Sequence, residues 1–198
     1  MPNACLHVRT FAPGTRLARL IIAAFALAVL ASQPAAAQSA DAPYQRNSFP
    51  IFFDFFGTWR GEGVVGGWPA KTEMTWSPVI DGHFVRVSWT SDMTSKSGEQ
   101  VRFESEGTYR PVADDDGNHK GAWYDSQGMM YPLNGRVKGD SLTTIWGQEG
   151  DRQGRTTYRM IDRNTMRVRD EIRRAAEWLP YGLTTLVRQP VAKATPAH

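Results

Sequence analysis

Side chains able to move a proton are spread thinly along this chain. His83, Glu104, Tyr109, Tyr124 and Tyr158 are the candidates for general acid or base work. A carboxyl or phenol beside an apolar substrate shifts in pKa as it loses water, and a positioned imidazole titrates near neutrality. His83 follows Gly82 at a turn and keeps register with Val85 and Val87, which would aim it with them into an interior. His119, after Asp114-Asp115-Asp116-Gly117-Asn118, reads as exposed. That aspartate run has the composition of a calcium loop but lacks the bidentate glutamate such a loop carries at its twelfth position. No two histidines stand at metal-ligand spacing and no Ser-His-Asp order stands out, so no metal is expected.

Two further groups could hold a ligand. Seven tryptophans, Trp59, Trp68, Trp76, Trp89, Trp123, Trp146 and Trp178, bring broad apolar area with a polar handle. Together with methionines they suit either a core or an apolar pocket. The expected ligand-binding set is Trp76, Trp89, Phe103, Trp123, Met129, Tyr131 and Trp146, with Arg86. Arg86, Arg102, Glu104, Glu106, Arg110, Arg159, Arg167 and Arg169 recur at alternating positions. If the apolar stripe faces inward, these charges are solvated. If some of them face inward, they form an Arg–carboxylate set for an acidic head group.

The elements that must position these residues are strands. Thr72, Met74 and Trp76 alternate with Lys71, Glu73 and Thr75; Val85, Val87 and Trp89 alternate with Phe84, Arg86 and Ser88. Val101 to Tyr109 repeats the pattern, and turn signals punctuate at Asp81-Gly82, Gly139-Asp140 and Asp162-Arg163-Asn164. About eight to ten antiparallel strands are expected, the pattern of an all-β, calycin-like up-and-down barrel wide enough for one small ligand. A helical turn fits Arg173–Leu179, and the Phe-rich run Asn47–Phe56 reads as a short helix capping one end. In Gly57-Thr58-Trp59-Arg60-Gly61-Glu62-Gly63, Trp59, Gly61 and Gly63 share one strand face. Glycines there mark close backbone approach, and Trp59 reads as the barrel plug.

At the N-terminus, Arg9, Arg16 and Arg19, the apolar run Leu20–Ala31 and Ala35-Ala36-Ala37 make a secretory signal peptide over 1–37, with cleavage after Ala37 or Ala40. Its loss removes three of the 23 Lys and Arg, balancing the 20 acids. A nucleic-acid partner, which wants a basic surface, is then not expected. The single cysteine, Cys5, leaves with it. The remainder divides into a flexible lead-in (38–48), a barrel domain (49–189) and a disordered tail (190–198). Periplasmic or secreted location is expected, as monomer or homodimer, without stable membrane insertion.

Gly57–Gly63 resembles the opening strand of nitrobindin-type barrels, which are themselves similar to fatty-acid-binding proteins. The closing run Leu183–Arg188 is placed similarly. Trp76 to Phe84, Gly107-Thr108-Tyr109 and Trp123 to Gly128 look closer to uncharacterised secreted bacterial barrels of the lipocalin-like group. The resemblance implies a barrel, and in nitrobindin-like proteins haem held by a histidine before the closing strand. That place falls near Tyr181, and no histidine occurs in 120–197. The expected function is the binding of a small hydrophobic or aromatic molecule, with no cofactor. The alternatives are a cofactor-free lyase, isomerase or hydratase and, more weakly, a haem protein.

Overall fold

A computed structural model describes residues 50–149 and 152–190. The expected leader, the lead-in and all but Pro190 of the expected tail lie outside them. One short helix, α1 (Pro50–Phe55), precedes ten strands: β1 (Gly57–Val65), β2 (Trp68–Val79), β3 (Phe84–Thr94), β4 (Gln100–Tyr109), β5 (Asn118–Asp125), β6 (Met130–Lys138), β7 (Ser141–Gly147), β8 (Gln153–Asp162), β9 (Thr165–Arg174) and β10 (Glu177–Arg188). Each strand pairs antiparallel with its neighbours in sequence, and β10 returns to β1, so the sheet closes and no edge is left. Residue types drive this: in β3, Val85, Val87 and Trp89 are buried while Arg86 faces water, the period-two signature of a half-buried strand.

Closure depends on the glycines of β1. Trp59 pairs with Arg188, Gly61 with Leu186 and Gly63 with Thr184. A Cβ at Gly61 would lie 2.0 Å from the Thr185 carbonyl oxygen, and one at Gly63 would lie 2.2 Å from that of Leu183. Any side chain at either place would prise β1 from β10.

The two ends differ. At one end α1 is the floor, with Phe52 and Phe55 fully buried against Trp76, Tyr109 and Tyr158. Trp59 is buried beside them and its Nε1 donates to the Phe55 carbonyl at 2.7 Å. The Phe-rich run thus covers the base, and Trp59 shares the filling of that end with α1. The other end is ringed by the turns after β1, β3, β5, β7 and β9.

Arg173–Leu179 is not a helical turn. β9 runs into β10 through Ala175-Ala176, with Arg174 paired to Glu177 and Arg173 to Trp178. The local helix preference of Arg-Arg-Ala-Ala-Glu loses to the ladder that closes the barrel, and Ala175 takes a left-handed φ of 52° to make the tight reversal.

Candidate ligand cavity

The barrel encloses a cavity of about 160 Å³ that opens toward the end opposite α1. Inward positions of successive strands build its wall: Trp89 and Met93 from β3, Phe103 from β4, Trp123 from β5, Tyr131 and Leu133 from β6, Trp146 from β7 and Val168 from β9. Tyr109 and Tyr158 lie at its floor, above the aromatic packing on α1. Two large rings are seated by absent side chains. The Trp146 indole lies over Gly154, its partner across β7 and β8, where a Cβ would fall 1.8 Å from Cζ2. Trp123 covers Gly107 in the same way at 3.0 Å.

One polar chain crosses this apolar wall. Trp146 Nε1 donates to Thr156 Oγ1 at 3.2 Å, and Thr156 Oγ1 donates to Asp170 Oδ1 at 2.6 Å. Asp170 lines the cavity, and burial raises its pKa to about 6; the Thr156 hydrogen bond pulls it back and the neighbouring Glu171 charge adds to the rise. By accessible surface Asp170 is half-buried, between the outward Arg169 and the buried Glu171 of β9. Glu171 points the other way and is buried beneath Arg155 and Arg169, at 2.6 and 2.9 Å. An irregularity in β10 between Pro180 and Gly182 leaves Tyr181 without a register partner, and Tyr181 joins the cavity wall. Bulges commonly re-aim a side chain in this way.

The floor tyrosines are donors rather than bases. Tyr109 Oη is 3.2 Å from Thr144 Oγ1 and also bonds Tyr158; burial pushes the Tyr109 phenol well above its ordinary pKa. Burial likewise raises Tyr158, with smaller contributions from Tyr109 and Asp170. Tyr131 Oη is buried without any hydrogen-bond partner among the described residues.

Of the expected site residues, the structure brings Trp89, Phe103, Trp123, Tyr131, Trp146, Tyr109 and Tyr158 to one cavity. The others lie elsewhere. His83 is exposed in the turn before β3 at the closed end: the strand begins only at Phe84, so the alternation that buries Val85 and Val87 does not reach back to it. Arg86 and Glu104 occupy outward positions of β3 and β4, and Glu104 accepts from Arg102 at 2.7 Å in water. The strand alternation that sends Trp89 and Phe103 inward sends these charges out. Tyr124 is outward by the same rule, and Met129 is exposed in the turn after β5. Trp76 is core: it packs on Phe52, Phe55 and Tyr158 and does not reach the cavity. His119 is buried, not exposed, with Nδ1 3.1 Å from the Arg110 carbonyl and its ring edge-on to Phe52. Asp170 was not among the expected residues, although Met166, Val168 and Asp170 share one strand phase, an acid in an apolar stripe.

Among the described residues, no cluster of His, Cys, Asp or Glu could hold a metal ion. Tyr181, near the expected ligand position, lies on the cavity wall, and no histidine is among the residues that line it.

The fold and cavity define a closed ten-stranded antiparallel β-barrel with an aromatic interior chamber. Among solved structures, the chain is similar to Rv2717c from M. tuberculosis: TM-score 0.55 and 14% identity over 72% of this chain and 98% of that one. A de novo designed fluorescence-activating β-barrel is more distant, with TM-score 0.39 and 12% identity over 70% of this chain and 97% of that one. No protein-family model matches the chain, and no curated protein sequence matches it. At these identities the likeness is one of fold alone.

Proposed function

We propose that this protein is an exported, lipocalin-like barrel that binds a small hydrophobic or aromatic molecule in its interior. The observation that carries this reading is the roughly 160 Å³ chamber walled by Trp89, Phe103, Trp123 and Trp146. Volume sets the ligand's size: an apolar cavity of about 150 Å³ accommodates benzene, whereas a long acyl chain needs far more. The reading places the protein in the periplasm or outside the cell after loss of its leader, as a monomer or homodimer, with no nucleic-acid partner. Titration with toluene, followed by the fluorescence of the cavity tryptophans, tests it. Saturable quenching that is lost when Trp89 or Trp123 is replaced by a polar residue supports binding in the chamber. Absence of saturable binding, with no small molecule retained by protein from its native host in native mass spectrometry, sinks it.

A second reading is favoured by one observation. Asp170, with its pKa raised to about 6 by burial, faces the same cavity as Tyr158 and Tyr109. That is the equipment of a cofactor-free lyase, isomerase or hydratase acting on a hydrophobic or aromatic substrate, with the carboxylate as base and a phenol as donor. Exchange of the α-protons of acetophenone with D2O is its test: exchange at the buffer rate, unchanged in Asp170→Asn, removes the reading.

A further inference from the structure

The chamber holds two polar atoms that its own residues leave unmet. Asp170 uses Oδ1 to accept from Thr156 at 2.6 Å, and Oδ2 has no hydrogen-bond partner among the described residues. Oδ2 stays uncovered because its neighbour across the ladder is Gly182: a Cβ there would stand 3.0 Å from it. Three strands away, Tyr131 Oη is buried on the same cavity with no partner, although its ring is well seated 5.5 Å from that of Trp146. Buried polar atoms are ordinarily paired, so the unpaired Tyr131 Oη calls for an explanation, while Asp170 keeps part of its surface open. A carboxylate oxygen can only accept, whereas a phenol can give or take. Both residues line the one cavity, whose wall is largely aromatic.

We propose that the chamber selects single-ring aromatic molecules that carry a hydrogen-bond donor, phenols or aromatic amines, with the donor on Asp170 Oδ2 and Tyr131 Oη meeting a second polar edge of the ligand. The inference rests on the chamber being a binding site, as proposed above, and adds the chemical class that it takes. A neutral donor suits it better than an ammonium: Arg152 lines the cavity as well as the carboxylates of Asp125 and Asp170, and a full cation would shed its hydration among tryptophans. With Asp170 ionised above its raised pKa, the bond to the donor is charge-assisted.

The test compares phenol and aniline with toluene, which matches them in size but has no donor. Binding is measured by calorimetry or tryptophan quenching at pH 7.5, on the wild type, Asp170→Asn and Tyr131→Phe. Phenol and aniline are expected to bind about tenfold more tightly than toluene. Asp170→Asn should abolish that preference, and its circular dichroism and thermal unfolding report whether the variant folds. Tyr131→Phe, a loss of one oxygen atom, should weaken phenols bearing a second polar group, such as resorcinol, and spare toluene. Should Asp170→Asn fail to fold, the wild-type preference and Tyr131→Phe still decide. Toluene binding as tightly as phenol overturns the inference and leaves the binding function standing. A donor preference that survives both variants overturns the assigned seats. No binding of any of the three overturns the binding function itself.

Discussion

The Arg188 guanidinium lies 4.0 Å above the Trp59 ring, joining the last residue of the last strand to the first strand at the closed end of the barrel. The same group donates from Nη2 to the Asp54 carbonyl at 2.6 Å and from Nη1 to the Phe56 carbonyl, so it also satisfies carbonyls in the last turn of α1 and just past it. Barrel closure and the floor therefore share one side chain. Arg188→Ala is expected to lower stability by about 2–3 kcal/mol, through lost charged hydrogen bonds and the stacked cation. Arg188→Lys should recover little of it, since an ammonium neither stacks as a plane nor spans two carbonyls. Urea unfolding midpoints measure both.

Gly154→Ala should dislodge Trp146. The clash is with the rigid indole at 1.8 Å, not with the end of a flexible chain. Overpacking of this kind costs about 1–3 kcal/mol. The displaced indole would also leave Thr156 without its 3.2 Å donor. The expected readout is a drop in thermal midpoint together with a red-shifted tryptophan emission.

Stability should vary with pH through Asp170. Its folded pKa, about 6, lies above the ordinary value of 3.8, so the folded state binds the proton more tightly than the unfolded chain. Stability then falls as pH rises from 3.8 to about 6. The shift of roughly two units sets an upper bound of about 3 kcal/mol. Asp114, Asp140 and Asp162, held low chiefly by hydrogen bonds, act in the opposite sense and below that window. Asp170→Asn should therefore flatten the profile between pH 4 and pH 6.5 and raise stability at pH 7.5. A parallel profile for wild type and variant in chemical denaturation would show that Asp170 does not titrate in this window.

Two tyrosines of the cavity should answer oppositely to loss of their hydroxyl. Tyr109 Oη is engaged by Thr144 at 3.2 Å, so Tyr109→Phe should cost about 1 kcal/mol. Tyr131 Oη has no partner, so Tyr131→Phe should be neutral or stabilising by about 1 kcal/mol. A hydroxyl that costs stability in the ligand-free fold is what a binding site would retain.

Much of the fold was legible in the chain because strand alternation is a local signal. Val85, Val87 and Trp89 marked the inner face of β3, and Asp162-Arg163-Asn164 marked the hairpin between β8 and β9, as the structure has them. Gly61 and Gly63 signalled the close approach that closure requires. The inward reading of His83 fails because it extends the alternation of Val85 and Val87 past the start of β3 at Phe84 into the preceding turn. Arg86 and Glu104 needed only the question of which strand face is inside, and the apolar majority of each strand answers it.

The sequence by itself determined the all-β class, the bent glycine-rich first strand and the aromatic stock of the interior, since each follows from residue type at spacing two. Only the tertiary structure decided which aromatics became floor and which became wall. That choice depends on how deep each residue lies along the barrel axis, which is fixed by strand register and by where α1 seats. It alone placed Trp76 in the core and Trp146 in the chamber. The same closure brought Asp170 and Tyr131, three strands apart, onto one cavity. A carboxylate becomes a site only when distant strands enclose it and take its water away.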